Sequence, residues 1–163
     1  MRNFLAATFI LTFFVSALST PAHSQTKEQK REQKVFAAVP QHLRARLIER
    51  LNLYVEYERT ANYQKLYDLL SEYVVNPGVL SREAYVDASR ETIAKGYRGV
   101  LLEFRPTGTI DLSQSDERVI RYDIWGEAKV KSEGKVYWKD ASIDALWISG
   151  EWYFGSVADV IID

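Results

Sequence analysis

Glu58 is the residue of this sequence best placed to do acid–base chemistry. Stepping about 100° per residue around a helix from Leu43, Tyr54, Leu47, Glu58 and Leu51 fall at about 20°, 40°, 60° and 80°. A carboxylate inside that apolar arc is costly to bury unless it is paired. Either it is a general base of raised pKa with Tyr54 or Tyr122 as hydrogen-bond donor, or it reaches solvent or a nearby cation where the helix frays. The second reading is preferred, because structural ion pairs also perturb carboxylates. Asp123 and Asp144 form a second oddity, since the strand pairing set by two glycine-bearing turns places these like charges directly opposite one another. Two carboxylates are fewer ligands than a divalent cation takes. Arg121 and neighbouring cations, or a bulge near Gly126, account for them instead, and no metal site is assigned.

Much other chemistry is missing. The chain has no cysteine and only two histidines, His23 and His42. Disulfide frameworks, cysteine-based zinc sites and thiol nucleophiles are therefore excluded. No Gly-rich phosphate loop or Ser/His/Asp set occurs, and no cofactor is expected. Lys and Arg total 21 against 22 Asp and Glu, so no bulk field steers the protein toward nucleic acid or anionic lipid. A length of 163 residues suits one domain. With 47% hydrophobic and 26% charged residues, it fits neither the disordered nor the low-complexity class.

Residues 1–24 read as a secretory signal peptide. Arg2 supplies a short positive region, 4–18 is mostly apolar, and Ala22-His23-Ser24 places small residues before a cleavage point at Gln25. The apolar run is shorter than the roughly 20 residues of a spanning helix. The expectation is a secreted or periplasmic protein with no membrane contact once this segment is removed. His42 is then the only histidine left.

Residues 25–38 are a charged lead-in, read as a solvated helical or disordered tether. Pro40 marks a helix start, and 41–59 carries Leu43, Leu47, Leu51, Tyr54 and Val55 at helical spacing. Asn62 caps a helix over 63–72, and Ser81 caps another over 82–95 that Gly96 ends. The period then changes to two. A strand over 98–105 is interrupted by Pro106-Thr107-Gly108, with a short extension at 109–112. Strands follow at 118–131, 135–148 and 151–157. Helices first and a meander after make an α+β fold.

Two-residue turns at Glu133-Gly134 and Ser149-Gly150 set the strand register. Ile120 then faces Trp147, Tyr122 faces Ala145, Trp147 faces Trp152 and Ala145 faces Phe154, all on one apolar side. The opposite side mixes Trp125, Trp138, Leu146 and Tyr153 with charges. Exposed patches of that kind mark interaction surfaces, so this side is expected to form a homodimer. Arg98, Tyr137 and Lys139 fall near strand ends, where they either rim a pocket or snorkel to water.

Leu47-Ile48-Glu49-Arg50-Leu51-Asn52-Leu53-Tyr54-Val55, Asn62-Tyr63-Gln64-Lys65-Leu66-Tyr67-Asp68-Leu69-Leu70-Ser71, Phe104-Arg105-Pro106 and Leu146-Trp147-Ile148-Ser149-Gly150-Glu151-Trp152-Tyr153-Phe154 carry a resemblance. Together they resemble the nuclear transport factor 2-like (SnoaL-like) superfamily, the cystatin-like α+β cone, over about residues 39–157 of a domain that spans 39–163. The resemblance implies N-terminal helices packed in the concave face of a curved antiparallel sheet. It also implies a pocket at the wide end and dimers through the outer face. Ketosteroid-isomerising members use pocket carboxylates, and scytalone-dehydrating members use pocket histidines. The pocket-side strand positions here, Val100, Leu102, Phe104, Ile120, Ile124 and Trp147 among them, carry neither. The expectation is a small exported binding or interaction domain. Its apolar pocket, lined by Tyr54, Glu58, Tyr122 and Trp147, would take a small apolar or aromatic ligand. The alternative is a cofactor-free isomerase, dehydratase or hydrolase using Glu58.

Overall fold

The computed structural model describes residues 26–70, 80–113 and 119–158. The signal segment, its cleavage point and the turn Asn76-Pro77-Gly78 lie outside the described residues. Among the described residues four helices, α1 (Lys27–Val35), α2 (Gln41–Arg59), α3 (Tyr63–Tyr67) and α4 (Arg82–Ala94), precede four strands. These are β1 (Val100–Asp111), β2 (Val119–Ser132), β3 (Lys135–Ile148) and β4 (Glu151–Ala158). The strands form one open antiparallel sheet in sequential order, so the α+β class holds.

Helix α2 starts where expected because Pro40, at φ −54° and ψ 136°, presets the entry without needing a donor. Its buried residues Leu43, Leu47, Leu51, Tyr54 and Glu58 form one stripe, and α2 touches both edge strands, β1 and β4. The charged lead-in is helical, yet it is not wholly solvated. Val35 and Phe36 are buried and join the core ahead of Val39. Helix α3 stops five residues short of the expected helix end, at Tyr67. The sheet captures the chain there: the Phe154 N–H donates to the Leu69 carbonyl at 2.8 Å, and Leu70 bridges Phe154 in parallel. In α4 the Ser81 hydroxyl accepts from the Ala84 N–H, and Gly96 leaves the helix at φ 74°.

The β2–β3 and β3–β4 registers agree with the sequence reading at every derived pair. Both central residues of each turn adopt positive φ: Glu133 and Gly134 in one, Ser149 and Gly150 in the other. That is the twist that matches paired strands.

Strand β1 departs from expectation. It runs unbroken through Pro106, with register shifts between Leu101 and Glu103 and between Pro106 and Gly108. Each extra residue reverses the facing of the strand beyond it. Leu101 rather than Val100 or Leu102 therefore points inward beside Val130, and beyond the second bulge Thr109 and Asp111 join Ile124 and Tyr122 on the inner side. Gly126 permits the close crossing. A Cβ there would lie 2.4 Å from the Arg105 carbonyl oxygen and 2.8 Å from Phe104 Cζ.

Candidate functional site

The four expected pocket residues fall into two groups at opposite ends of α2. Tyr54 and Glu58 lie on its C-terminal half, with the Tyr54 ring 5.3 Å from that of Phe154. Tyr122 and Trp147 flank Trp152 instead, with ring centroids 5.8 and 5.1 Å from it. The Trp152 indole N–H donates to the Leu43 carbonyl at 3.3 Å. Leu43 and Glu58 are separated by about 22 Å of helix at 1.5 Å per residue. Tyr122 therefore is not placed to donate a hydrogen bond to Glu58, and the four expected residues do not come together at one place.

At the first end, Glu58 is fully buried and pairs with the Arg98 guanidinium through Oε1. Arg98 thus comes inward to meet a carboxylate rather than rimming a pocket. Glu58 Oε2 is buried without a partner among the described residues. Burial pushes the Glu58 carboxyl above its ordinary value, and the charge and hydrogen bond of Arg98 oppose that only in part. Burial disfavours the Arg98 charge, but the Glu58 carboxylate outweighs it and holds Arg98 above its ordinary value. Two tyrosines feel the same carboxylate. Burial and then Glu58 raise the Tyr63 phenol, and the same two causes push Tyr85 up to about 12. Sequence reasoning did not single out Tyr63 or Tyr85, which α3 and α4 bring in.

At the second end, Tyr122 is buried and Trp147 partly so. Thr109 and Asp111 share their side of the sheet. The Thr109 hydroxyl oxygen is buried with no partner among the described residues. The Tyr122 phenol is raised by burial and further by the Asp111 charge. The inner side of the sheet therefore does carry a carboxylate, contrary to the sequence reading. Its signal was the Pro106-Thr107-Gly108 run inside an alternating strand, where proline and glycine mark bulges.

On the outer side, Trp125 and Trp138 are exposed. Trp138 lies under the Arg105 guanidinium at 4.0 Å, with Lys129 at 5.8 Å. Leu146 is buried within the single chain, and Tyr153 is partly buried with Arg50 5.7 Å from its ring. The surface open to a second copy is thus narrower than the four residues expected. Asp123 and Asp144 are paired as derived. Burial raises the Asp123 carboxyl, a Ser142 hydrogen bond opposes the shift, and Asp144 adds to it. Among the described residues no group of three or more metal-type ligands occurs. Neither a family model nor a curated protein matches this chain, so its reading rests on geometry.

Proposed function

We propose that this chain is a small exported binding domain of the cone-shaped α+β kind. It holds a small apolar or aromatic ligand against Tyr122 and Trp147 and pairs with a second copy through Trp125 and Trp138. One observation carries the binding site: the Thr109 hydroxyl is buried without a partner among the described residues, on the inner side of the sheet opposite Ile124 and one inner position along from Tyr122. A buried polar group of this kind needs a partner that a ligand or an ordered water supplies, and an apolar site with few polar groups is what small ligands occupy. The enzyme alternative built on Glu58 is disfavoured by access, since its side chain is only 1% exposed and Oε1 is taken up by Arg98.

Native mass spectrometry of the protein recovered from outside the cytoplasm tests this. The expected result is two chains beginning at Gln25 with a small organic adduct, which is lost in the Thr109→Val variant. A bare single chain, or an adduct indifferent to Thr109→Val and to Trp147→Ala, overturns the assignment.

A further inference from the structure

The outer side of the sheet sorts its charges by sign along the strands. Toward the Glu133-Gly134 turn stand Lys129 and Lys131 of β2, and Lys129 shares the Trp138 ring with Arg105. Farther from that turn come two carboxylate pairs, Glu127 opposite Asp140 and Asp123 opposite Asp144, with Trp125 and Ser142 between them. Among the described residues neither lysine and none of these four carboxylates makes an ion pair. Asp123 also keeps a buried oxygen, Oδ1, without a partner among the described residues. Like charges directly opposite one another weaken a strand pair, so both carboxylate pairs are stabilised by a cation brought from outside. Each zone holds one exposed tryptophan, Trp138 among the cations and Trp125 among the anions.

A face of one sign is complemented by a partner of the other. This face carries both, so a polyanion or a polycation is repelled by one of its two zones. Its complement is a face with the same zones in reverse order, which a second copy turned end for end presents. We infer that two copies pair here about a two-fold axis that crosses the strands, placing the lysines of each over the carboxylate pairs of the other. The inference rests on the pairing through Trp125 and Trp138 proposed above, and adds its direction and the force that sets it. A two-fold makes the charged contact twice, and the two tryptophans of each copy lie between the two contacts. The other face-to-face arrangement, with the axis along the strands, sets lysines over lysines and carboxylates over carboxylates, which repel.

The test compares the dimer dissociation constants of the whole protein and two charge-reversed variants by sedimentation. One variant is Lys129→Glu with Lys131→Glu, and the other is Glu127→Lys with Asp140→Lys. The parent dimer is expected to weaken between about 50 and about 500 mM salt, as screened ion pairs do. Each variant dimer is expected to be at least about tenfold weaker than the parent's, because like charges then face each other in both contacts. An equimolar mixture of the two variants is expected to recover dimers of one chain of each, identified by mass, since both contacts are then complementary. That recovery also shows that the variants are folded. If a double reversal unfolds the chain, Lys131→Glu and Asp140→Lys, each on an exposed side chain, take its place. A parent dimer unmoved or strengthened by salt, variants that dimerise as the parent does, or a mixture without mixed dimers overturns the inference, while the pairing through the tryptophans stands. A parent that is monomeric at both salt concentrations overturns the pairing as well.

Discussion

Arg98 lays its guanidinium on Oε1 of Glu58, while Oε2 of the same carboxylate is buried without a partner among the described residues. The pair is lopsided, since the Arg98 side chain is 24% exposed and that of Glu58 only 1%. Losing one partner therefore differs from losing the other. Arg98 can turn toward solvent, whereas Glu58 has nowhere to go.

That asymmetry sets the first prediction. Arg98→Met leaves a bare buried carboxylate and is expected to cost about 3 kcal/mol. Glu58→Gln keeps the shape and an acceptor for Arg98, and is expected to cost about 1 kcal/mol or less. Adding Glu58→Gln to Arg98→Met is expected to restore part of the loss, because it removes the uncompensated charge. Urea unfolding of the four proteins measures all three quantities. Equal costs for the two single variants would show that the pair acts as an ordinary surface bridge.

The same carboxylate gives stability a pH dependence of definite sign. Burial holds the folded Glu58 carboxyl above the ordinary 4.5. Its contribution is thus fully present below that value and is lost as the pH rises through the folded one. Glu151 behaves oppositely. Its hydrogen bond with Arg46 holds it below 4.5, so its contribution is present above that value and is lost as the pH falls. Stability of Glu58→Gln relative to the parent is expected to improve as the pH rises from about 4 to 8. Glu151→Gln is expected to be the weaker protein at neutral pH and to converge on the parent in acid. Parallel stability curves for parent and Glu58→Gln would contradict the burial argument.

How much of this was legible depended on whether a signal was local. Leu43, Leu47, Leu51, Tyr54 and Glu58 share a stripe because helical period alone decides it, and the register from Val119 to Glu151 follows from two glycine-bearing turns. The facing of β1 was not legible in that way. Its bulges answer the close crossing at Gly126, a contact made across the sheet. Thr109 and Asp111 were missed for that reason. The partner of Glu58 was missed for another, since Arg98 lies 40 residues away and a long cation at a strand end reads as solvent-bound.

The crossing can be tested through two glycines of neighbouring strands. A methyl at Gly126 meets backbone and a ring edge that cannot retreat, so Gly126→Ala is expected to destabilise by about 2 kcal/mol, the usual cost of overpacking. At Gly108 a Cβ meets nothing within 4 Å. Gly108→Ala is expected to be neutral or to stabilise by about 0.5 kcal/mol by restricting the unfolded chain. Thermal unfolding of both variants checks the contrast. Similar effects at the two positions would mean that β1 does not approach β2 as closely as the bulged register requires.

The two hairpin turns offer the last prediction. Glu133 at φ 49° and Ser149 at φ 52° hold left-handed backbone that side chains other than Asn, Asp and Gly adopt at a cost. Asn-Gly is the preferred pair for this turn. Glu133→Asn and Ser149→Asn are therefore each expected to stabilise by about 0.5 kcal/mol, a fraction of the 1–2 kcal/mol left-handed penalty. Gly150→Ala, forced to φ 87°, is expected to destabilise by about 1 kcal/mol or more. Because the turns set which side each residue of β2, β3 and β4 faces, the Asn variants are expected to keep the Trp147–Trp152 contact intact. Unfolding midpoints give the energies, and the near-ultraviolet circular dichroism of the tryptophans reports the packing. An Asn variant that loses stability would show that the turn is not of this type.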